Sequence, residues 1–388
     1  MQNKFFVQSK LLYGVLTAAF SLLLPTVHAQ LRARSEINLP DIPGYFTLKC
    51  DLHMHTVFSD GLVWPTVRVA EAWRQGYDAI AITDHIEYLP HKADVSTNNL
   101  NRSYEIAKPA ADSLGLLLIK GIEITRGEPP GHWNALFIKD VKPLQTKEYK
   151  DAVKAAIDQG AFLFWNHPGW KQPKGKTVWY KEQGEVYDLG WLHGLEIVNG
   201  LDYDPIVHKW CLDKNLTLLG NSDVHSPIGM DYEESGNNKR PMTLVFAVTR
   251  SIDSIKEALT ARRTAVMVNN AIYGNAEYLA PLFYESIQVK KSKVTINAKG
   301  KASLQIHNSS CIDFELAPNG KVDDLKLPAK CILYAGKTVL LELQGTSEKA
   351  KGERTLELPF TVKNLISSPD KGIAIKIGAT VVLVPAKS

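Results

Sequence analysis

Between about Tyr45 and Met267 the sequence alternates short apolar runs with amphipathic helical segments, and this alternation restricts the fold more than any other feature. Such alternation is typical of parallel β-strands that are joined by crossover helices. Helices are predicted at about residues 65–76, 101–115, 146–159, 204–215 and 254–262. About seven apolar runs lie between and beside them, so the pattern predicts an α/β fold built on a parallel sheet.

Nearly every predicted strand is followed by polar side chains of the kind that bind metal ions. The first run leads into His53-Met54-His55, and alternate residues of a strand point to one side, so both imidazoles share a face. The whole set consists of His53, His55, Asp60, His85, Glu123, His132, His167, Asp223 and His225. The carboxyl ends of the strands meet in one active site in a closed α/β barrel, whereas an open sheet has a single crevice. The sequence therefore predicts a distorted TIM-like barrel of about seven strands.

The size of this set predicts more than one metal ion. Six of the eleven histidines in the chain belong to it, which argues against a separate structural role for each. One metal ion needs three or four ligands, so nine candidates suit two or three divalent ions, with a carboxylate as a bridge. Imidazole and carboxylate together suit Zn, Mn or Fe. The roles of two more acidic residues, Glu196 and Asp84, remain open. Each is compatible with a structural role or with the support of a ligand.

The motifs H-M-H, S-D-G, T-D-H, G-I-E, G-H, N-H-P and S-D-V-H, in this order, resemble those of the PHP (polymerase and histidinol phosphatase) superfamily. The longer stretches that begin at Asp60, Pro130 and Phe164 resemble its exported branch, the Sb-PDE family phosphodiesterases. The resemblance implies a distorted (β/α)7 barrel and a trinuclear centre. The first metal would be held by His53, His55, Glu123 and Asp223. Glu123 would bridge to a second metal at His132 and His167, and the third would be held by Asp60, His85 and His225.

Clustered divalent ions activate water near neutral pH and clamp the attacking and leaving oxygens of a phosphoryl group. The expected function is therefore a metal-dependent phosphodiesterase in which a metal-bridging hydroxide attacks phosphorus. Asp223 or His225 could also transfer a proton. Arg126 and Arg240 follow ligand motifs and are candidate phosphate contacts, although a structural salt bridge explains either equally well.

Other residues beside the ligand motifs have two interpretations each. Packing is expected for about half of four tryptophans, and the others could form an aromatic wall for an ester substituent: Trp64, Trp133, Trp165 and Trp170. Three asparagines could orient ligands: Asn134, Asn166 and Asn221. The alternative functions are a phosphomonoesterase resembling histidinol phosphatase, an amidohydrolase-type hydrolase and a non-catalytic surface-binding protein.

The amino terminus is typical of a secretory signal peptide. Lys4 and Lys10 lie before an apolar run that is short for a membrane span. Cleavage is expected after Ala29. The expected protein is secreted or periplasmic, without a stable membrane anchor. The net charge is only +4 and no basic block is present, so a nucleic-acid polymer is not an expected partner. A small-molecule phosphoester is the expected partner, and a homo-oligomer is left open.

From about Tyr284 the sequence changes to an alternation of period two, with Asn319-Gly320 as a turn signal. Short strands at this spacing predict a β-sandwich. The expected organisation is a signal peptide at 1–29, a barrel domain at 30–280 and a sandwich domain at 281–388. Cys311 and Cys331 could form a disulfide in an oxidising compartment, or remain core residues of apolar strands. The sandwich is expected to act as a scaffold, with a surface-binding module as the alternative.

Overall fold

The apolar runs of the first two thirds of the chain become short strands in the computed structural model, which describes residues 33–95, 97–173, 175–233 and 239–386. The strands of this region are β1 (Phe46–Asp51), β2 (Ala79–Ile82), β3 (Leu117–Ile124), β4 (Trp133–Leu136), β5 (Phe162–Trp165), β6 (Gly194–Asn199), β7 (Asp202–Tyr203), β8 (Thr217–Asn221), β9 (Met242–Ala247), β10 (Thr264–Val268) and β11 (Ala271–Gly274). The predicted signal peptide lies outside the described residues. Within them, no helix has both the length and the apolar character needed to cross a bilayer.

Helices fill most of the connections between these strands. They are α1 (Pro65–Arg74), α2 (Arg102–Leu114), α3 (Tyr149–Ile157), α4 (Lys181–Asp188), α5 (Pro205–Lys214), α6 (Ile228–Asp231), α7 (Ile252–Thr260) and α8 (Ala276–Ser286), with a 3-10 turn at Lys142–Leu144. The five predicted helices are confirmed as α1, α2, α3, α5 and α7. Proline at the first position starts α1 and α5, because its missing N–H would have no partner there. Helices α4, α6 and α8 were not predicted.

The sheet is parallel in two parts, which are separated by one reversed strand. β1, β2 and β3 run parallel, as do β5, β6 and β8. β4 is antiparallel to both β3 and β5, so the prediction of parallel strands is wrong at this position. Only residues 125–132 separate β3 from β4, and a parallel return needs a crossover of about a dozen residues or more. β9 is antiparallel to β1 on the other side.

Threonine side chains join β8 to the two strands that follow it. The Thr243 hydroxyl accepts a hydrogen bond from the Gly220 N–H at 3.0 Å and donates to the Gly220 carbonyl at 2.9 Å. The Thr264 hydroxyl donates to the carbonyl of Leu218 at 2.8 Å. The Val266 side chain packs so closely on Gly220 that a Cβ atom there would lie 2.1 Å from Val266 Cγ1, which favours glycine at this position. These bonds hold β8 beside β9 and β10 without a regular ladder, so the carboxyl ends of the parallel strands face a common region.

Both faces of this sheet are buried. In β2, Ala79 and Ala81 pack in one apolar cluster, and Ile80 and Ile82 pack in another. Continuous apolar runs of this kind are expected for parallel strands covered on both sides. The sheet is therefore a rigid base, and its strand ends carry the polar residues.

The carboxyl-terminal region forms a β-rich, Ig-like domain of two layers, as predicted. One layer orders its strands as β12 (Ile287–Lys291), β14 (Lys301–Asn308), β18 (Thr338–Gly345) and β16 (Leu325–Lys326). The other contains β13 (Lys293–Asn297), β15 (Phe314–Pro318), β17 (Cys331–Leu333), β19 (Gly352–Ser368) and β20 (Lys371–Val384). Inward residues alternate with exposed ones, as in β20, where Ile373, Ile375 and Ile377 are buried. The period-two pattern of the sequence arises because alternate residues face the apolar interior.

The two regions share one sheet, because β11 pairs in parallel with β19 through Ile272 and Leu365. Cys311 and Cys331 are both free thiols, so the structure does not contain the disulfide that was considered. Burial raises the pKa of both thiols. They are best described as the core residues of the alternative interpretation.

Candidate metal centre

The structure brings all nine predicted ligands together at one end of the sheet. Among the described residues, their nitrogen and oxygen atoms form four groups in which all ligand atoms lie within 4.8 Å of one another. The groups are His55/Asp60/His85/His225, His53/His55/Asp223, His53/Glu123/His167 and His85/Glu123/His132. His132 precedes β4, whereas the other ligands lie within β3 or after strands, but β4 is reversed and its start therefore lies at the same end.

The centre of the cluster has the spacing of ligands around a shared ion. His53 Nε2 and His55 Nε2 lie 3.2 and 3.1 Å from Glu123 Oε2, and each lies 3.1 Å from Asp223 Oδ1. Two ligands about 2.1 Å from one ion at tetrahedral or octahedral angles are separated by roughly 3.0–3.4 Å. The two imidazoles therefore have the spacing of ligands to one divalent ion with respect to either carboxylate.

Further ligand atoms surround this centre on two sides. Asp60 Oδ1 lies 3.2 Å from His225 Nε2 and 3.4 Å from His85 Nε2. On the other side, Glu123 Oε1 lies 2.6 Å from His132 Nδ1 and 3.9 Å from His167 Nε2. Glu123 thus directs one carboxylate oxygen to each half of the cluster, which is the geometry of a bridging ligand.

Several of these buried atoms have no hydrogen-bond partner in the described part of the chain. They are Asp60 Oδ1, Glu123 Oε1, His132 Nδ1 and His167 Nδ1. Glu123 Oε1 and His132 Nδ1 approach closely but lack the geometry of a hydrogen bond. Unpaired buried polar atoms are costly and rare in folded proteins, and cations would satisfy them. The donor set, imidazole and carboxylate, is the one that Zn, Mn and Fe prefer, so the residues fit the metal ions that this chemistry requires.

The electrostatics of the cluster also favour bound cations. Burial lowers the pKa of His85, but the charges of Glu123 and Asp60 outweigh it and raise the pKa to about 10. His53 behaves in the same way, because Asp223 and two glutamates outweigh its burial and raise its pKa. Conversely, burial would raise the pKa of Asp60, but the neighbouring imidazoles hold it well below its ordinary value. The carboxylates therefore remain ionised and attract positive charge, either protons on the imidazoles or metal ions.

Glu196 supports two ligands from beneath the cluster. Its Oε1 lies 2.8 Å from His53 Nδ1, and its Oε2 accepts a hydrogen bond from the His167 N–H at 2.8 Å. The amide groups of Asn199 and Asn221 donate to the same carboxylate at 3.1 and 2.9 Å. A carboxylate on the distal nitrogen fixes the orientation of a ligand imidazole and increases its basicity. Of the two interpretations of Glu196, the structure favours the one in which its carboxylate orients a ligand imidazole.

Asp84 acts on the loop that carries His55 and Asp60. Its Oδ1 accepts hydrogen bonds from the Thr56 N–H at 2.7 Å and from the Ser59 hydroxyl at 2.8 Å. The same hydroxyl lies 3.2 Å from His55 Nδ1. Asp84 therefore orients a ligand imidazole indirectly, and it also caps the loop.

Three of the supporting residues were missed in the sequence. Ser59 contacts His55, Thr125 Oγ1 lies 2.6 Å from His85 Nδ1, and Asn199 Nδ2 donates to Asp223 Oδ2 at 3.2 Å. Each lies within two residues of a predicted ligand or at the end of a strand, and that position is the only sequence signal for them. Among the predicted asparagines, Asn221 holds Glu196 and Asn166 accepts a hydrogen bond from the Asn134 N–H at 3.1 Å.

A buried arginine that the sequence did not single out joins the two ligand-bearing loops. Arg68, in α1, is fully buried, and its Nε donates to the carbonyl of His55 at 2.8 Å. Its Nη2 donates to the carbonyl of His225 at 2.7 Å, and its Nη1 donates to Glu71 Oε2 at 2.9 Å and to the Ser226 carbonyl at 2.8 Å. The guanidinium thus ties the His53-Met54-His55 segment to the Asp223–His225 loop.

Of the two interpretations of Arg240, the structure favours the structural salt bridge over the phosphate contact. Its side chain is buried, and its Nε donates to Asp51 Oδ2 at 2.7 Å. Its Nη1 donates to Gln75 at 3.1 Å, and its guanidinium lies 4.6 Å from the ring of Tyr77. The physical reason is the carboxylate of Asp51, which is buried at the end of β1 and needs a charged partner. Asp51 in turn accepts from the Ser222 N–H at 3.1 Å, next to a ligand.

Arg126 also forms contacts within the protein, but its side chain is not fully buried. Its guanidinium is paired with Glu87 and donates to the carbonyls of Thr125 and Thr146 at 2.8 and 2.9 Å. Its side chain keeps partial exposure. A phosphate contact by Arg126 stays a prediction.

The four tryptophans divide evenly, as expected. Trp133 and Trp165 are fully buried and pack against each other. Trp64 and Trp170 are exposed. Only Trp170 lies against the rings of two ligands, His132 and His167, with centroid separations of 4.8 and 5.3 Å.

The fold and this site define a metal-dependent phosphoesterase of the PHP class. The family model described as the PHP domain matches residues 51–183, and a model described as an Ig-like domain matches residues 287–378. The chain resembles the crystal structure of a two-domain protein from Bacteroides vulgatus that contains a predicted PHP-like metal-dependent phosphoesterase. The TM-score is 0.84 at 44% identity, over 90% of this chain and 99% of that one. The chain belongs to the PHP-domain family.

Curated relatives match parts of the chain. Uncharacterized protein MJ1295 of Methanocaldococcus jannaschii is 34% identical over 195 residues, which are 46% of this chain and 83% of that protein. The DNA polymerase/3'-5' exonuclease PolX of Bacillus subtilis is 32% identical over 113 residues, which are 29% of this chain and 17% of the polymerase. The chain thus spans less than a fifth of the length of that relative.

Proposed function

We propose that the protein is an exported phosphodiesterase that hydrolyses a P–O bond of a small-molecule diester at this metal centre. The single observation that carries the proposal is the set of nine convergent ligands around Glu123, whose Oε1 is buried and unpaired within the described residues. The number of ligands favours phosphoester chemistry, because neutralising charge on phosphoryl oxygens calls for more than one cation. The more specific assignment to the Sb-PDE branch is part of this proposal.

In the proposed arrangement three divalent ions, Mn, Zn or Fe, share the nine ligands. The first ion is bound by His53, His55, Glu123 and Asp223, the second by Glu123, His132 and His167, and the third by Asp60, His85 and His225. Bound ions would supply a Lewis acid for the phosphoryl oxygens and lower the pKa of water.

The side chains of the protein have distinct tasks around these ions. Glu123 would hold two ions, one through each carboxylate oxygen. Glu196 holds the ring of His53 through the 2.8 Å contact to its Nδ1, so that Nε2 faces the centre. Asp223 and His225 lie on the partly exposed side of the cluster, where a proton could be exchanged with solvent. Arg126 would contact a phosphate oxygen with a guanidinium nitrogen while Glu87 holds it in place.

The remaining expectations on organisation are proposals as well. We propose cleavage after Ala29, a barrel domain at 30–280 that forms a distorted (β/α)7 barrel, and a sandwich domain at 281–388. The proposed boundary falls inside α8, just before the matched Ig-like region. Amino-terminal sequencing of the mature protein should give Gln30 as its first residue, and a first residue at Met1 would contradict export by this signal.

The experiment that tests the function compares esters on metal-defined protein. Bis(4-nitrophenyl) phosphate, 4-nitrophenyl phosphate and a 4-nitrophenyl carboxylester are assayed with Mn, Zn or Fe added. The diester should have the highest kcat/KM. His53→Ala should lower the rate by several orders of magnitude, because it removes a ligand at the centre of the cluster. His307→Ala is the matched control, since His307 lies in β14 of the carboxyl-terminal domain.

Each other outcome selects a different function. A large preference for the monoester would identify a phosphomonoesterase, and faster cleavage of the carboxylester would identify an amidohydrolase-type enzyme. Protein that binds no metal ion and cleaves none of the three substrates would be a non-catalytic binding protein.

A further inference from the structure

We propose that Trp170 forms a binding subsite for an aromatic substituent of the phosphodiester, beside the His132–His167 side of the metal centre. The inference rests on the proposed function and adds a class of substrate to it. The ligand chemistry is a phosphodiester anion with at least one planar ring, either an aryl group or a nucleoside base.

The first observation is the position of the indole. Its side chain is 38% exposed, although its centroid lies only 4.8 Å from that of His132 and 5.3 Å from that of His167. The two histidine side chains keep exposed fractions of 10% and 11%, so the cluster is open to solvent on this side. A substituent of an ester bound at the centre would leave the cluster next to the indole.

The second observation is that the loop carrying the indole is held by hydrogen bonds. The backbone N–H of Trp170 donates to the backbone carbonyl of His167 at 2.8 Å, which fixes the turn that places the ring beside a ligand. The Gln172 side chain donates to the Pro168 carbonyl at 2.8 Å and accepts from the Val178 N–H at 2.7 Å, which closes the loop. A platform that is already ordered loses little conformational freedom on binding, and such preorganisation increases affinity.

The third observation is the chemistry of the exposed side chains beside the cluster. Indole is a strong stacking surface, and stacking on it tolerates any aryl group or base because each has a π-face. The ammonium of Lys171 lies over the Trp170 ring, 3.8 Å from its centroid, so a positive charge lies next to the indole. This charge favours an anionic ester over a neutral one. The exposed ring of Tyr88 has its centroid 5.9 Å from that of His85, another of the candidate ligands.

The geometry favours a diester over a monoester. A diester carries two substituents, and the two exposed rings stand beside different ligands, so there is an aromatic surface for each substituent. A compact alkyl phosphate would leave the indole uncovered. We therefore expect the ring to contribute to affinity only when the ester carries an aromatic group.

The test measures binding directly, so it does not depend on turnover. Dissociation constants of dimethyl phosphate, diphenyl phosphate and dithymidine monophosphate are measured by calorimetry on full-length, metal-loaded protein. The variants are Trp170→Ala, Trp170→Phe and, as a control, Tyr334→Ala, which removes an exposed ring from the carboxyl-terminal domain. Metal content is determined for each variant.

The wild type should prefer at least one aromatic diester over dimethyl phosphate. Trp170→Ala should reduce this preference about tenfold, the loss of one stacked ring, whereas Trp170→Phe and Tyr334→Ala should change it by less than about threefold. Whether diphenyl phosphate or dithymidine monophosphate binds better distinguishes an aryl ester from a nucleoside ester.

An unchanged preference in Trp170→Ala would overturn the subsite. Equal weakening of all three ligands, with loss of metal, would also overturn it and would assign the ring the role of covering the two imidazoles. Failure of the wild type to cleave any phosphoester would refute the proposed function, yet the binding preference would still decide the subsite.

Discussion

Arg68 offers the sharpest test of how the metal centre is assembled. In Arg68→Met the side chain keeps its length but loses every donor. Glu71 then remains buried without its cation, and the carbonyls of His55, His225 and Ser226 lose their 2.7–2.8 Å hydrogen bonds. Breaking a buried ion pair by removing one partner costs roughly 3–5 kcal/mol. We therefore expect the free energy of unfolding to fall by about 4 kcal/mol, a large part of the roughly 5–15 kcal/mol that stabilises most proteins.

The assay is thermal unfolding of metal-free and metal-loaded protein, together with elemental analysis. At about 2–4 °C per kcal/mol for a domain of this size, the Tm of Arg68→Met should drop by roughly 10 °C. Metal content should also fall, because Arg68 ties the carbonyls of two proposed ligand residues together. Arg68→Lys should be intermediate, since an ammonium retains the pairing with Glu71 but cannot reach all the carbonyls.

The matched control is Arg74→Met, six residues further along the same helix and exposed to solvent. A surface substitution of this kind should change the free energy of unfolding by less than about 0.5 kcal/mol. If Arg68→Met unfolds within 2 °C of the wild type and retains its full metal content, the role of Arg68 in joining the two loops is refuted.

Three other outcomes test individual contacts. Glu196→Gln should weaken metal binding about 10- to 100-fold, because the amide carries no charge to increase the basicity of the ligand imidazole; a metal titration with a wild-type constant would contradict this. Arg240→Met should lower the Tm and leave KM unchanged, since Arg240 is buried against Asp51; a raised KM at an unchanged Tm would restore it as a phosphate contact. Metal uptake at pH 7.5 should release protons, because the pKa of His85 is about 10 in the metal-free protein and a ligand imidazole must be neutral. Calorimetry in two buffers of different ionisation enthalpy counts these protons, and a count of zero would contradict the prediction. Because folding raises the pKa of His85, its protonation stabilises the metal-free fold fully below about pH 6.5. This contribution is lost as the pH rises through about 10, so the Tm of the metal-free protein should be lower at pH 10 than at pH 7.

Local patterns were sufficient for the elements and for the identity of the ligands. The five predicted helices and the period-two strands of the carboxyl-terminal domain are present, because amphipathic periodicity and turn residues act within a few residues. The motif residues meet in space because the carboxyl ends of parallel strands lie at one end of the sheet. Their convergence follows from chain order and strand direction, which the sequence specifies.

The predicted strand direction was wrong where the connection between two strands was short. The run that begins at Trp133 forms an antiparallel strand, because residues 125–132 cannot form a crossover. The absence of a helical segment between Glu123 and His132 was the available signal. His132 still reaches the centre, since reversing the strand brings its start to the end where the other ligands lie.

The roles of the arginines depended on contacts between residues far apart in the chain. Arg240 and Asp51 are 189 positions apart, and Arg68 contacts carbonyls 156–158 positions away, so no local pattern could report these partners. The same holds for Trp170, which lies five residues after buried Trp165 but whose ring is exposed beside two candidate ligands. By itself the sequence determined the α/β class, the candidate ligands that meet in the structure and the kind of chemistry, because these depend on residue type and order. Only the tertiary structure decided which charged and aromatic side chains are buried supports and which remain open to a substrate, because burial depends on what the rest of the chain brings to each position.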